Sequence, residues 1–372
     1  MPEEGKVGYA VVGIKGVGRT HIEAVRACGE EADLVAVCDI DEEAARAVAE
    51  KYGVPHAVSD FEHLLGMDEV EAISICTPHF LHRDMTVAAL EAGKHVLCEK
   101  PMAVTVKQAD EMVEAARRAG KVLAISFQHR FRPEVGVMRG LVGEMAPLLW
   151  LVWIDCSLRT QAYYDSGDWR GTWWGEGGGV LINQAVHDLD LLQWVFGMPK
   201  VVLGRASNLL HDIEVEDMAS AVFEYENGAQ GAFVAGNVSY PAVHRVQAGL
   251  EGGVVLFDGK LRVGRARERI SDFVRKSPEM WGAPEVEWEE PEVPQVERKG
   301  HVAAVHNFLK AVRGQEEPLC PGEEGVKSLE LVNAIVLSTV KGGPVSLPLD
   351  RGECEEVYKA LREGRLRLPR FA

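Results

Sequence analysis

Residues 6–18 read Lys6-Val7-Gly8-Tyr9-Ala10-Val11-Val12-Gly13-Ile14-Lys15-Gly16-Val17-Gly18. A valine-rich apolar run meets a cluster of glycines, and a helix pattern follows over residues 19–28. A strand that turns directly into a helix through glycines can bring backbone N–H groups up to a phosphate. Gly13 and Gly18 stand where a tight turn and close helix–strand packing exclude a side chain. The middle position, where the backbone approaches a pyrophosphate, is Lys15. Its ammonium either pairs with a phosphate or is a solvated charge beside a looser site, with Gly16 relieving the crowding.

Outward from this turn, residues 6–126 alternate strand and helix patterns. Strands are predicted at 34–38, 72–76, 96–98 and 122–126, and helices at 41–52, 59–65, 81–91 and 105–119. Asp41, Ser59 and Thr105 are candidate caps, and Gly93 and Gly120 candidate stops. Such alternation predicts a doubly wound parallel sheet with helices on both faces. Ligands then sit beyond the carboxyl ends of the strands. Four of those ends carry chemistry: Gly13, Asp39, Thr77-Pro78 and Glu99-Lys100. Asp39 lies about 20 residues past the glycines, where an acid reads a ribose hydroxyl. Ile40 follows where an arginine for a 2′-phosphate would stand, and Asp41 adds repulsion, so NAD is expected over NADP. Thr77-Pro78 fits contact with the cofactor, and fits equally a plain strand-to-helix turn.

The next strand, His95-Val96-Leu97-Cys98-Glu99-Lys100-Pro101-Met102, ends in an acid, an amine and a proline. The proline pushes Lys100 out of helical space. In order, Gly13 to Gly18, Asp39, Ile75-Cys76-Thr77-Pro78 with His82, and Ala92-Gly93-Lys94-His95-Val96-Leu97-Cys98-Glu99-Lys100-Pro101 resemble a family of sugar and polyol oxidoreductases. It is named for glucose–fructose oxidoreductase and inositol dehydrogenase (Gfo/Idh/MocA). The Glu-Lys-Pro triplet is its most diagnostic local motif, and the similarity covers nearly the whole chain. The resemblance implies a Rossmann domain, then an α/β domain whose open sheet often serves oligomerisation, a nicotinamide cofactor, and a Lys100–Pro101 peptide that can be cis. It implies cofactor contacts from Gly13, Ile14, Lys15, Gly16, Val17, Gly18, Asp39, Thr77, Pro78, His82, Glu99, Lys100 and Arg170.

The second half is less regular. Arg130 is a candidate on the substrate side or a structural ion pair. Helix and strand patterns at 132–141 and 148–154 precede an aromatic stretch with Tyr163, Tyr164, Trp169, Trp173 and Trp174. Such rings suit a sugar face or packing between domains. Glu176-Gly177-Gly178-Gly179 then leads into a helix predicted over 180–196. Leu181, Ala185, Leu189 and Leu192 form its apolar face, while Asn183, His187, Asp190 and Trp194 form a polar stripe at steps of four, three and four. The family places a histidine at the reacting C–OH in a matching Gly-Gly-Gly…His-x-x-Asp motif, which His187 fits. Asn183 cannot accept a proton, so a relay would rest on His187 and Lys100. Asn183, Asp190, Arg130, Tyr163 and Trp169 complete the expected substrate contacts. Strands at 201–207, 219–225, 229–234, 245–251 and 254–257 predict a mostly antiparallel sheet, with Asn227-Gly228 as a hairpin signal. An acidic surface loop is expected at 278–294, and helices at 301–312, 323–341 and 353–363.

The 372 residues divide by expectation into a dinucleotide domain at 1–127, a substrate and oligomerisation domain at 128–350, and an extension at 351–372. A net charge of −17 argues against nucleic acid. No apolar run is long enough to span a bilayer, and Met1-Pro2-Glu3-Glu4-Gly5 does not open a secretory signal. The seven cysteines are scattered and include no Cys-x-x-Cys pair, which predicts free thiols in a reducing cytoplasm. His79 and His82 share a helix face without a third ligand in view, so no metal is expected. The expected activity is NAD-dependent oxidation of a secondary hydroxyl on a sugar, polyol or sugar derivative by a homodimer or homotetramer built through the C-terminal sheet. The alternatives are NAD-dependent glycoside cleavage through transient oxidation and elimination, and a non-catalytic, cofactor-responsive sugar-binding protein.

Overall fold

The structure, a computed structural model, describes residues 5–371. The reading of Met1-Pro2-Glu3-Glu4 lies outside the described residues. The chain opens with β1 (Val7–Val12), α1 (Val17–Ala27), β2 (Ala32–Cys38), α2 (Glu42–Tyr52), β3 (His56–Val58) and α3 (Phe61–Leu65). Next come β4 (Ala72–Ile75), α4 (His79–Glu91), β5 (His95–Cys98), α5 (Val106–Ala119) and β6 (Leu123–Ile125). These precede α6 (Pro133–Met145), β7 (Leu148–Leu158), α7 (Gln161–Tyr164), α8 (Val180–Asn183) and α9 (Val186–Phe196). Then follow β8 (Val201–Ser207), β9 (Met218–Glu224), β10 (Gln230–Gly236), β11 (Val238–Leu250), β12 (Gly253–Phe257), β13 (Leu261–Ala266) and α10 (Ile270–Lys276). The last elements are β14 (Val286–Glu289), α11 (Gly300–Val312), α12 (Gly322–Lys341), β15 (Val345–Ser346) and α13 (Arg351–Arg362).

Two compact units result: residues 5–131 with Glu297–Leu329, and Arg132–Val296 with residues 330–371. In the first, the strands run parallel in the order β3-β2-β1-β4-β5-β6, the doubly wound order expected from the alternation. Its strands are nearly all buried, which fits a sheet covered on both faces. Thr105 closes a capping box with Gln108, and Gly120 stops α5 in the left-handed region. The cap of α3 is Asp60 rather than Ser59, because the Asp60 carboxylate accepts the Glu62 N–H.

The segment Glu297–Leu329 departs from the contiguous division expected from sequence. Val305, Phe308 and Leu309 of α11 join the core of the first unit with Tyr9, Ile22 and Val25. The Phe308 ring stands edge-on to Tyr9 at 6.1 Å. Burying these large side chains stabilises the unit by roughly 1.5–3 kcal/mol each. Periodicity identified the helix but carries no information about which core its apolar face joins.

The second unit is built on a nine-stranded sheet, β14-β13-β12-β11-β7-β10-β9-β8-β15. It is mostly antiparallel, as expected, with β7 and β10 the parallel pair. The 278–294 stretch expected as a loop contributes β14, whose four residues are exposed at the sheet edge. Helices α6 and α9 pack together, with the Arg139 guanidinium over the Trp194 ring at 4.4 Å. On the solvent side, register lines up Leu203, Val222, Ala232, Val152, Gln247 and Leu256 across six strands. Leu203 and Val222 are about half exposed, so this face is open and apolar. Among the described residues, no helix is long and apolar enough to cross a membrane.

Candidate active site

In the first unit the site residues expected from sequence lie at the carboxyl ends of β1, β2, β4 and β5. Gly13 has φ +80°, and a Cβ there would meet the Cys76 carbonyl oxygen at 2.7 Å. A Cβ on Gly18 would lie 1.8 Å from the Gly13 carbonyl oxygen, so only glycine lets α1 approach the strand. Asp39 closes the turn from the side: its carboxylate accepts the Ile14 N–H at 3.2 Å and the Asp41 N–H at 3.0 Å. Lys15 reaches sideways to Asp41 at 2.8 Å, an exposed ion pair. Ile40, the residue after Asp39, is 95% exposed.

Thr77 and Pro78 lie half-buried between β4 and α4. The Thr77 hydroxyl is buried and has no hydrogen-bond partner among the described residues. His82 is deep in the fold, with Nδ1 2.7 Å from the Pro101 carbonyl oxygen and Nε2 2.7 Å from that of Thr77. Both ring nitrogens thus face backbone, and His82 acts as a strut between two strand ends, whereas the resemblance implied a cofactor contact. Burial pushes its pKa down despite those contacts.

The Lys100–Pro101 peptide is cis. Lys100 is half-buried, while Glu99 beside it is 3% exposed. One Glu99 oxygen lies 2.8 Å from His21 Nε2 and 3.5 Å from His301 Nε2, and the other accepts the Lys100 backbone N–H at 3.2 Å. Burial drives the Glu99 pKa upward. The hydrogen bond from His21 and the nearby His301 imidazole outweigh it and hold the carboxyl well below the usual range. Arg130 is 2% exposed and donates to the Leu319 carbonyl at 3.2 Å and the Glu324 carboxylate at 3.1 Å. Of its two readings, the structural ion pair is the one this geometry supports.

In the second unit the aromatic stretch divides. Tyr164 and Trp173 are core residues, Trp174 is exposed, and Tyr163 and Trp169 flank Arg170. The guanidinium lies 4.6 Å from each ring centre. The Tyr163 hydroxyl accepts from Arg170 at 2.8 Å and from the Asn183 and Gln184 amides at 3.0 Å each. Glu176, fully buried, accepts the Gly171 N–H at 2.7 Å, contacts the Asn183 amide and lies 3.8 Å from Arg170.

The helix expected over 180–196 is two helices, α8 and α9. Ala185 N–H reaches back five residues to the Val180 carbonyl at 2.8 Å, a widened turn. One extra residue in a turn rotates the helix before it by about 100° relative to the helix after it. The predicted polar stripe is therefore interrupted between Asn183 and His187. His187 is 9% exposed on α9, and Asp190 is fully buried with its carboxylate 3.5 Å from the Gln193 amide.

Further polar residues hold this region and were missed from sequence. Glu216 accepts the Gly179 and Leu181 N–H groups at 2.9 and 3.1 Å, and burial pushes its pKa up to about 7. Asp188, next to His187, accepts from Trp153 at 2.9 Å and meets His244 Nε2 at 3.1 Å. Burial, reinforced by the negative charge of Asp188, pushes the pKa of the neighbouring Asp155 above the usual carboxylate range. The groups His21/Glu99/His301, Cys28/Glu31/His306 and Asp155/Asp188/His244 each bring their ligand-type atoms within 4.8 Å. Linear spacing shows none of them, because each is assembled by strands and helices distant in sequence.

Comparison with known proteins gives a consistent result. D-glucoside 3-dehydrogenase of Escherichia coli (strain K12) is 28% identical over 341 residues, 85% of this chain and 90% of the relative. The 1,5-anhydro-D-fructose reductase of Ensifer adhaerens is 28% identical over 350 residues, 90% of this chain and 96% of the relative. The WlbA dehydrogenase of Bordetella pertussis, solved with NADH and UDP-GlcNAcA, superposes with a TM-score of 0.80 at 28% identity, covering 93% of this chain and 100% of that one. Residues 7–127 match the NAD-binding Rossmann fold of an oxidoreductase family, and residues 152–347 match that family's C-terminal alpha/beta domain. With both halves matched, the chain belongs to the Gfo/Idh/MocA oxidoreductases.

Proposed function

We propose that this oxidoreductase removes hydride from a secondary hydroxyl of a sugar, polyol or sugar derivative, using NAD. The observation that carries the reading is the cradle at the end of β1, where side chains at Gly13 and Gly18 would collide with backbone. The residues present fit a dinucleotide. The opening of α1 offers amide donors to phosphates, Asp39 offers carboxylate oxygens to a ribose, and the buried Thr77 hydroxyl has hydrogen-bonding capacity unused among the described residues. Bound NAD would supply the hydride acceptor. His187 takes the hydroxyl proton, and Lys100 stabilises negative charge developing on the same oxygen. Tyr163 and Trp169, with Asn183, offer ring faces and polar groups for a sugar. The names of the two sugar-directed relatives support that substrate class.

The open apolar sheet face supports a homo-oligomer in which a second copy covers Leu203 and Val222. The free cysteines fit a reducing, cytoplasmic setting. The decisive experiment follows absorbance with purified protein, NAD or NADP, and a panel of sugars, inositols, sugar acids and glycosides. NADH formation with at least one compound is expected, and absence of turnover across the panel with either cofactor would refute the reading.

A further inference from the structure

We propose that His21 is a positioning residue that fixes Lys100 by acting through Glu99; this rests on the proposed role of Lys100. The groups form a continuous line. The Tyr9 hydroxyl is 2.7 Å from Ser74 Oγ, which is 2.8 Å from His21 Nδ1. His21 Nε2 is 2.8 Å from Glu99 Oε1, and Glu99 Oε2 accepts the Lys100 N–H. Tyr9, Ser74 and His21 are fully buried.

Hydrogen-bond direction along this line is determined by its end. An ionised carboxylate only accepts, so Nε2 must carry a hydrogen and donate to Glu99. Nδ1 is then the acceptor for the Ser74 hydroxyl, and Ser74 Oγ accepts the Tyr9 hydroxyl. Every donor finds an acceptor. A ring protonated on both nitrogens would place three hydrogens in the two contacts that join His21, Ser74 and Tyr9, leaving one of them without an acceptor.

The line joins four elements of the first unit: Tyr9 on β1, Ser74 on β4, His21 on α1 and Glu99 after β5. His21 stands three residues past Gly18, within the helix that opens at the cradle. The same helix that receives the dinucleotide phosphates therefore holds, through one carboxylate, the backbone from which Lys100 projects. A buried charge and a polar line are costly relative to well-packed apolar side chains. Their geometric effect is to set the lysine relative to the cofactor turn. His301, delivered by α11, approaches the same Glu99 oxygen from the other side.

The test compares wild type, His21→Leu, His21→Gln, Ser74→Ala and Lys100→Met in the full chain. Lys100 is labelled with acetic anhydride and quantified by peptide mass spectrometry against the other lysines, and NAD binding is followed by tryptophan fluorescence. A turned-over panel compound adds kcat and KM. His21→Leu should shift the Lys100 labelling rate beyond the scatter of the other lysines, with NAD affinity nearly unchanged. It should lower kcat about tenfold to a hundredfold at similar KM. His21→Gln, which restores an N–H toward Glu99, should recover most of both effects. Labelling of Lys100 at the wild-type rate in folded His21→Leu overturns the proposal. If that variant does not fold, Ser74→Ala decides by the same labelling criterion, a smaller shift being expected. Turnover by Lys100→Met would defeat the role of the lysine itself. An inactive Lys100→Met beside wild-type labelling and turnover in His21→Leu would defeat only the positioning.

Discussion

Glu99 after β5 and Glu216 ahead of β9 are both buried carboxyls that accept backbone N–H groups, yet their pKa values move in opposite directions. Burial pushes both upward. At Glu99 two imidazoles reverse the shift. At Glu216 the donors are amides and the neighbouring charge is another carboxylate, Glu176, so burial wins and the pKa settles near 7. The first is an anion locked into a strand end. The second is a carboxyl poised to lose its proton around neutrality, in the loop that leads to β9. Desolvation alone therefore does not predict the state of a buried acid, and the partners must be counted.

The sharpest way to break this contrast is at the residues each region presents. Lys100→Met or His187→Ala should reduce turnover by about 10²–10⁴-fold while leaving NAD affinity nearly intact, as steady-state kinetics and fluorescence titration would show. Next in size, Glu99→Ala removes the acceptor of His21 and the Lys100 N–H, and should lower unfolding free energy by about 3–5 kcal/mol in denaturant melts. Loss below about 1 kcal/mol would mean that the anion is not an organising group. In the second unit, a Cβ on Gly179 would sit 1.8 Å from the Glu216 carbonyl oxygen. Gly179→Ala should therefore cost about 2–3 kcal/mol, measured in the same way.

The pH dependence sharpens the comparison further. Glu216 has a folded pKa of about 7 against an ordinary 4.5. Its contribution to stability is full below the unfolded value and is lost as pH rises from 4.5 through 7. Glu216→Gln keeps a carbonyl for the Gly179 and Leu181 amides and carries no charge. It should melt like wild type near the low end of that window and above wild type by a few degrees, roughly, at alkaline pH. Equal melting differences at both ends would show that the carboxyl does not titrate as described. The smallest effect is expected at Lys15→Ala, where an exposed ion pair is lost and the melting temperature should move by about a degree or less. A fall in NAD affinity there would assign the ammonium to a cofactor phosphate.

Much of the first unit was legible because a parallel sheet writes itself as buried runs between amphipathic helices, and because Gly13, Asp39 and Lys100 fall at or just beyond strand ends and Gly18 in the first turn of the helix that follows. Less of the site was. His21 lies one turn into a helix whose apolar face hides a buried histidine, and its partner Glu99 is brought to it by topology across 78 positions. Glu216 lies in a linker with no periodic signal. The break between α8 and α9 left no mark, since Leu181, Ala185, Leu189 and Leu192 keep helical spacing through it. Arg130 reads equally as a substrate contact or a structural ion pair until Leu319 and Glu324 return to claim it.

That return has a consequence for how the protein is made. The first unit begins the chain, but Phe308, Leu309 and His301 arrive only after the whole of Arg132–Val296 has been synthesised. Until then a nascent sheet on the ribosome has an uncovered flank at Tyr9 and a Glu99 with only one of its two imidazoles. The dinucleotide-binding unit is thus translated largely ahead of Arg132–Val296 without being finished ahead of it. A chain stopped at residue 296 would hold nearly all of the cofactor cradle and still lack the helix that closes it.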